Sequence, residues 1–267
     1  HKYSPVGLYG LDKDLNRLKD DVLYENLMEN AITVVKNEKD LLPLRDLQTK
    51  TVAYVELGDV SGSTFYNELK KYTKVHHIKG EKLDDIITKL HNYNTVVIGF
   101  HKSNDNPWKA YEFSQKELAW LYEIARTTTV ILDVFARPYA LNNLRSVENI
   151  EAIVMSYQNR DIAQQKSAQL IFGAIDAKGE LPVSAGEFFP VGTGIAYNSL
   201  SNLSYGLPER VGMDSKRLSR IDSVANHAVK NQMTPGIQLL VARRGKVIYN
   251  KNFGYHTYSK KNKVDFD

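Results

Sequence analysis

The feature that most constrains the fold is a regular alternation of short apolar runs with helical patterns in the first two thirds of the 267-residue chain. Runs rich in β-branched and apolar residues predict five strands, at 51–57, 74–78, 95–100, 129–135 and 150–156. Helical patterns at 65–72, 82–91, 115–126 and 161–175 separate or follow them. This alternation is typical of successive βαβ units and predicts an α/β fold, with a doubly wound, mainly parallel sheet and helices on both faces.

Both ends of this alternating region have patterns of their own. Asp20 and Asp21 precede apolar residues at helical spacing, which predicts a helix that ends near Lys36. After residue 183 the chain becomes rich in Gly, Ser, Asn and Pro, which indicates a linker or an extended arm. Beyond the arm, Asp214 caps a predicted helix over 214–231. A β-hairpin is predicted to follow, with strands at 237–242 and 246–252 around an Arg-Arg-Gly turn.

Composition excludes several classes of function. The net charge of +4 is spread along the chain and lacks the dense basic patch of a nucleic-acid binder. The absence of cysteine excludes disulfides and thiolate metal sites. No apolar run approaches the roughly 20 residues that span a bilayer. Because the chain lacks an initiator Met and an apolar leader, we expect a longer precursor that carries any export signal upstream.

Three strings, in this order, resemble the C-terminal domain of family 3 glycoside hydrolases: NAITVVKNEKDLLPL at 30–44, FARPYAL at 135–141 and GELPV at 179–183. The second string is similar to one in the β-N-acetylglucosaminidase branch. The resemblance implies a parent enzyme that hydrolyses β-linked N-acetylglucosamine with retention, a sugar of the kind found in peptidoglycan. It also implies that the nucleophilic aspartate and the His-Asp dyad lie in a preceding barrel domain, because neither motif is present in this chain.

A second resemblance covers residues 205–255. The strings GMDSKRL at 212–218, TPGI at 234–237, VARRGKVI at 241–248 and FGY at 253–255 resemble the first helix and first two strands of class C β-lactamases and related serine hydrolases. That chemistry requires a Ser-x-x-Lys motif, and no serine in the chain has a lysine three positions later. The segment is therefore expected to stop before the catalytic residues.

The loop after the third predicted strand contains the candidate binding residues His101, Asn104 and Asp105. Doubly wound sheets present ligands at the carboxyl ends of their strands, where this loop begins. These side chains are predicted either to contact a sugar bound in the adjacent barrel or to pack the domain interface. The loop lacks the Glu-x-x-Asp-Arg string that carries the acid/base glutamate in the β-glucosidase branch, so no catalytic residue is assigned.

Other motifs are weighed against structural alternatives. The pair His76 and His77 is predicted to pack or face solvent rather than bind metal, because neighbouring strand residues point to opposite faces. The loop at 58–63 resembles a phosphate-binding loop only loosely and is interpreted as a tight turn. Trp108 is available for stacking on sugar, whereas Trp120 falls within a helical pattern and is predicted to be core.

Together these patterns predict a linker from an upstream barrel over 1–20, an accessory α/β domain over 21–190, a linker over 191–209 and a truncated β-lactamase-like segment over 210–267. The parent is expected to be a β-N-acetylhexosaminidase fused to a serine hydrolase, located in the cell envelope, periplasmic or secreted. The chain alone is expected to be inactive and to need no cofactor or metal. The alternative is a free-standing flavodoxin-like module that binds a nucleotide or small metabolite.

Overall fold

The computed structural model describes residues 7–106 and 108–265, which form two compact units. The larger, the α/β unit, comprises residues 27–202. The smaller is built from the described residues up to Asn26 together with residues 203–265. The N-terminal boundary between the units falls within helix α2 (Leu18–Ala31). Within the described ranges, no helix has the length and apolar character needed to cross a membrane.

A six-stranded sheet forms the centre of the α/β unit. Its strands are β1 (Thr33–Asn37), β2 (Val52–Gly58), β3 (Val75–His77), β4 (Thr95–His101), β5 (Thr129–Phe135) and β6 (Ala152–Met155). Their order across the sheet is β1-β6-β5-β4-β2-β3, and only the β1–β6 pair is antiparallel. The predicted doubly wound, mainly parallel α/β fold is confirmed.

Helices cover both faces of this sheet: α3 (Ser63–Leu69), α4 (Leu83–Leu90), α5 (Gln115–Ala125) and α6 (Asp161–Ile171). On one face, Val96, Ile98 and Phe100 of β4 pack in a core shared with the apolar residues of α4 and α5. Because side chains alternate along a strand, His101 points to the opposite face, where its ring lies 6.0 Å from that of Phe65 on α3. The two faces of β4 therefore have different chemistry at the strand's carboxyl end.

The predicted helix that was expected to reach Lys36 ends at Ala31, and this part of the prediction is wrong. Residues 33–37 instead form β1, which pairs antiparallel with β6 at the edge of the sheet. Thr33, Val34 and Val35 are β-branched and buried, so they fit a pleated surface better than a helix. Apolar residues at 31, 32, 34 and 35 match helical spacing as well, which is why periodicity favoured the wrong element.

Residues 177–200 belong to the α/β unit and run along it as an extended arm. Ala177 and Tyr197 form an antiparallel bridge. The backbone amide of Ile195 donates to the carbonyl of Val34 at 2.8 Å. Hydrogen bonds of this kind recur as far as Leu200, whose amide donates to the carbonyl of Gly173 at 2.7 Å. The sequence favoured a linker or an extended arm here, and as far as Leu200 the arm is what forms.

The smaller unit contains a three-stranded sheet and short helices. Its elements are α1 (Leu11–Leu15), β7 (Ser204–Tyr205), α7 (Ser215–Leu218), α8 (Arg220–Lys230), β8 (Gly236–Arg243) and β9 (Lys246–Gly254). The sheet order is β7-β9-β8, with β8 and β9 antiparallel. The predicted hairpin is confirmed, and its turn has positive φ at Arg244 (51°) and Gly245 (73°), as a type I′ turn requires. The predicted helix over 214–231 forms as α7 and α8, with the Asp214 side chain accepting from the Arg217 amide at 2.8 Å.

Candidate functional site

The candidate site lies at the carboxyl ends of β2 and β4. From β2 the chain crosses through α3 to β3 on one side, and then through α4 back to β4 on the other side of β2. This reversal is the topological switch point, where open α/β sheets form a crevice between the outgoing loops. The loop at 58–62 and the loop that begins at His101 therefore face each other there.

His101 is the last residue of β4, and its side chain fills this crevice. The residue has no exposed surface. Its Nε2 atom lies 2.8 Å from the Tyr54 hydroxyl, its Nδ1 atom lies 2.6 Å from Asn159 Oδ1, and its ring stacks on Phe135 at 4.5 Å. Burial lowers the pKa of His101 to about 4, so the imidazole is neutral near pH 7.

The other two predicted residues occupy the loop itself. Asn104 is half-buried, and its Oδ1 atom accepts from the backbone amide of Asn159 at 2.7 Å. Asp105 is exposed, and its own amide donates to Ser103 Oγ at 3.3 Å. The structure thus joins His101 and Asn104 through Asn159 and leaves the Asp105 carboxylate at the surface.

The facing loop uses its backbone amides internally. The amide of Asp59 donates to the His101 carbonyl at 3.0 Å, and the amide of Gly62 donates to Glu56 Oε2 at 3.1 Å. The amide of Ser63 donates to Ser61 Oγ at 3.1 Å. A phosphate-binding loop needs such amides to point at its ligand, and here a carboxylate occupies one of them. The turn interpretation of residues 58–63 fits this geometry.

Gly62 is packed so closely that it leaves no space for a side chain. A Cβ atom there would lie 2.2 Å from both His101 Nε2 and the Tyr54 hydroxyl. Its backbone, with φ −100° and ψ 23°, does not by itself require glycine. The constraint at this position is therefore steric.

Gly62→Ala is expected to lower the free energy of unfolding of the α/β unit by about 1–3 kcal/mol, because the added methyl group overpacks the crevice. Urea unfolding followed by tryptophan fluorescence measures this, since Trp108 and Trp120 both lie in that unit. Gly7→Ala is the matched control, because a methyl group added there would meet nothing within 4 Å beyond its chain neighbours. Wild-type stability of the Gly62 variant would contradict the crowding.

The aromatic residues near the loop differ in exposure. Trp108 is 91% exposed. Tyr111 is covered on one side by the Arg137 guanidinium, 5.3 Å from the ring centre. Trp120 is partly buried against the main apolar core, where its helical pattern placed it. Of the three, Trp108 has the freest ring face.

Metal and serine chemistry find little support in the described parts of the chain. No group of three His, Asp or Glu side chains there could hold a metal ion. His76 packs against Tyr93 and His77 against Tyr54, as aromatic neighbours. One serine–lysine pair does meet in space: the Lys246 ammonium lies 3.1 Å from Ser204 Oγ. Ser204 is only 7% exposed and sits opposite Lys246 in the β7–β9 ladder, which fits a structural pair.

A buried carboxyl group lies beneath this edge of the sheet, on β5. Asp133 has no exposed surface, and its Oδ1 atom accepts from Ser156 Oγ at 2.6 Å while Oδ2 accepts from Ser167 Oγ. Burial raises the pKa of Asp133 to about 7, although the serine hydrogen bonds act in the opposite direction. Sequence patterns did not single out Asp133, because a lone acidic residue in an apolar run gives no signal of its partners.

No family model matches the chain, and no curated protein sequence is significantly similar to it. Solved structures of similar fold include a fungal multi-domain GH3 β-N-acetylglucosaminidase with a GCN5-related glucosamine N-acetyltransferase region (20% identity, TM-score 0.53, 72% of this chain and 21% of that chain). A family 3 β-N-acetylglucosaminidase from Paenibacillus sp. str. FPU-7 is similar, with 20% identity and a TM-score of 0.51 over 72% of this chain and 36% of that chain. So is a β-glucosidase from Listeria innocua in complex with isofagomine, with 16% identity and a TM-score of 0.54 over 69% of this chain and 35% of that chain.

At these identities the likeness shows the fold alone, which is shared with the C-terminal regions of family 3 glycoside hydrolases. The chain spans between 21% and 36% of the length of these three structures. They include both β-N-acetylglucosaminidases and a β-glucosidase, so the fold does not choose between the two branches.

Proposed function

We propose that residues 21–190 are the accessory C-terminal α/β domain of a family 3 glycoside hydrolase. Residues 1–20 link it to an upstream barrel, residues 191–209, which include the end of the arm, connect it to the next segment, and residues 210–267 open a β-lactamase-like serine hydrolase domain. The parent is a retaining β-N-acetylhexosaminidase of the cell envelope that acts on β-linked N-acetylglucosamine, as in peptidoglycan. The shared fold and the three ordered strings at 30–44, 135–141 and 179–183 support this proposal.

The filled crevice is the observation that carries the proposal. At the switch point, where a flavodoxin-like module would hold its ligand, the side chains of His101 and Tyr54 meet Gly62, and Glu56 binds the loop amide. The exposed surface lies instead on the adjacent loop, at Asp105 and beyond. A loop that projects from a closed crevice suits contact with a neighbouring domain better than capture of a nucleotide.

Asn104 and Asp105 are proposed to touch the sugar held by the barrel. In the full-length precursor, Asn104→Ala combined with Asp105→Ala is expected to raise KM for a β-N-acetylglucosaminide about tenfold, because one or two hydrogen bonds to the sugar are lost. The kcat is expected to change little. Asn67→Ala with Asp84→Ala is the matched control, since both side chains are exposed and lie on helices α3 and α4, outside this loop. Unchanged kinetic constants in the loop variant would sink the proposed contact.

The rival function is tested on the 267-residue chain itself. Titration calorimetry with ATP, NAD and FMN is expected to give no heat of binding in the micromolar range, because His101 and Tyr54 fill the space beside Gly62 and the Glu56 carboxylate holds the loop amide that a phosphate would need. Reproducible micromolar binding of any of the three would favour the flavodoxin-like module.

A further inference from the structure

Asn159 lies at the centre of the polar contacts in the crevice. Its Oδ1 atom is 2.6 Å from His101 Nδ1 and accepts from Gln164 Nε2 at 3.0 Å. Its Nδ2 atom donates to the Ser61 carbonyl at 3.2 Å, and its backbone amide donates to Asn104 Oδ1 at 2.7 Å. One asparagine therefore contacts the loop after β2, the end of β4, the loop after β4 and helix α6.

For the neutral imidazole, these contacts are consistent with one pattern of donors and acceptors. Because Asn159 Nδ2 donates to a carbonyl and Oδ1 accepts from Gln164, the Nδ1 atom of His101 must carry the proton and donate to Oδ1. The neutral imidazole then accepts at Nε2 from the Tyr54 hydroxyl. Asn159 thus fixes one tautomer and one ring orientation of His101.

Helix α6 holds Asn159 in place from the other side. The Oε1 atom of Gln164 accepts from the Phe65 amide at 2.8 Å, which ties the same side chain to helix α3. Thr64 adds a second tie between these helices, since its hydroxyl donates to Asp161 Oδ1 at 2.8 Å. The asparagine is therefore anchored to rigid elements, and the loop after β4 is what it can position.

We infer that Asn159 is the positioning residue of the loop at 101–106: its side chain holds His101 at the loop's base in one arrangement, and its backbone amide binds Asn104 near the loop's middle. The inference rests on the proposed function in one respect: the contact of this loop with a sugar in a neighbouring domain is part of that proposal. The positioning itself is a property of this chain. Asn159 does not touch the substrate in this account.

Amide hydrogen–deuterium exchange on the 267-residue chain tests the inference without any sugar. Asn159→Ala is expected to speed exchange of the amides in 102–106 about tenfold, because the side-chain links to His101, Ser61 and Gln164 are lost together. Asn159→Asp keeps both acceptor contacts of Oδ1, so exchange is expected to stay nearer to wild type. This partial rescue separates positioning from a general loss of packing, and it keeps a readout if the alanine variant does not fold.

Asn202→Ala is the matched control. Asn202→Ala removes a side-chain hydrogen bond within the α/β unit, from Nδ2 to the Phe172 carbonyl at 2.8 Å, but none of the described contacts of Asn202 is with the loop. It is expected to leave exchange at 102–106 unchanged. Wild-type exchange of the loop in a folded Asn159→Ala variant, or equal acceleration by Asn202→Ala, would overturn the inference.

Kinetics of the full-length precursor distinguish this inference from the proposed function. If both hold, Asn159→Ala raises KM with little change in kcat, as the combined Asn104→Ala and Asp105→Ala variant does. If the loop exchanges faster in Asn159→Ala but the loop variants leave KM unchanged, the sugar contact fails and the positioning role stands. If the loop variants raise KM but exchange is unaffected, the positioning role fails alone.

Discussion

Asp133→Asn is expected to gain stability relative to the wild type by about 4 kcal/mol as the pH rises from 4 to 8. The reason is the burial that raises the pKa of Asp133 to about 7 in the folded protein, against an ordinary value of 3.8. Between these values the unfolded wild type has released its proton while the folded protein keeps it. Wild-type stability therefore falls by about 1.4 kcal/mol per pH unit through this residue, and asparagine removes that dependence.

Asparagine fits the site because it resembles the protonated acid. Its Oδ1 atom accepts from one serine hydroxyl, and its amide group donates to the oxygen of the other, since a hydroxyl both donates and accepts. Urea unfolding at several pH values, followed by tryptophan fluorescence, gives the difference between the two proteins. The other titrating groups are common to both and cancel.

Asp176→Asn is the matched control. Its pKa lies below the ordinary value because of the hydrogen bond from Lys178, so the difference from wild type should move in the opposite direction with pH. That effect should be small, since the pair is exposed to solvent. A pH-independent difference for Asp133→Asn would mean that the buried carboxyl group is ionised throughout.

The inner strands of the sheet could be predicted from sequence because each inner strand of a parallel sheet is buried on both faces. β4 and β5 are continuous apolar runs, and both were predicted within one residue. β1 was missed because its pairing is non-local: Thr33 to Asn37 gain their partner, β6, more than a hundred residues later. A helix that ends and a strand that begins within one turn leave no distinct period to read.

The sequence predicted where the three candidate residues lie along the sheet but not what they contact, and a role for them in sugar binding stays a prediction. A residue that follows a strand must lie at the carboxyl edge of the sheet, which placed His101, Asn104 and Asp105 together. The burial of His101 depends on Tyr54 and Asn159, which lie 47 and 58 residues away along the chain. A signal for Asn159 did exist, because it follows β6 and carboxyl ends of parallel strands meet at one edge. Its hydrogen bonds could not be read, because they depend on side-chain orientation.

Two buried ionisable groups on neighbouring strands thus oppose each other in their effect on stability. Asp133 resists ionisation and His101 resists protonation, since burial disfavours the charged form of both. Below pH 6.5 His101 is protonated in the unfolded state, whereas in the folded state it stays neutral down to about pH 4. Through this residue the wild type is expected to lose about 3 kcal/mol of stability as the pH falls from 7 to 4.

His101→Phe and His101→Gln are expected to remove this acid sensitivity equally. At pH 7 the two variants are expected to lose different amounts of unfolding free energy. Phenylalanine keeps the stacking on Phe135 but leaves Asn159 Oδ1 without the donor from the imidazole, whereas glutamine keeps a donor and loses the ring. Neither side chain titrates, so the difference in unfolding free energy between wild type and each variant should decrease by the same amount, about 3 kcal/mol, as the pH falls from 7 to 4. Urea unfolding across this range measures both. Unequal slopes would assign the acid sensitivity to repacking around the ring, and zero slope in both would show that His101 takes up its proton at the same pH in the folded and unfolded protein.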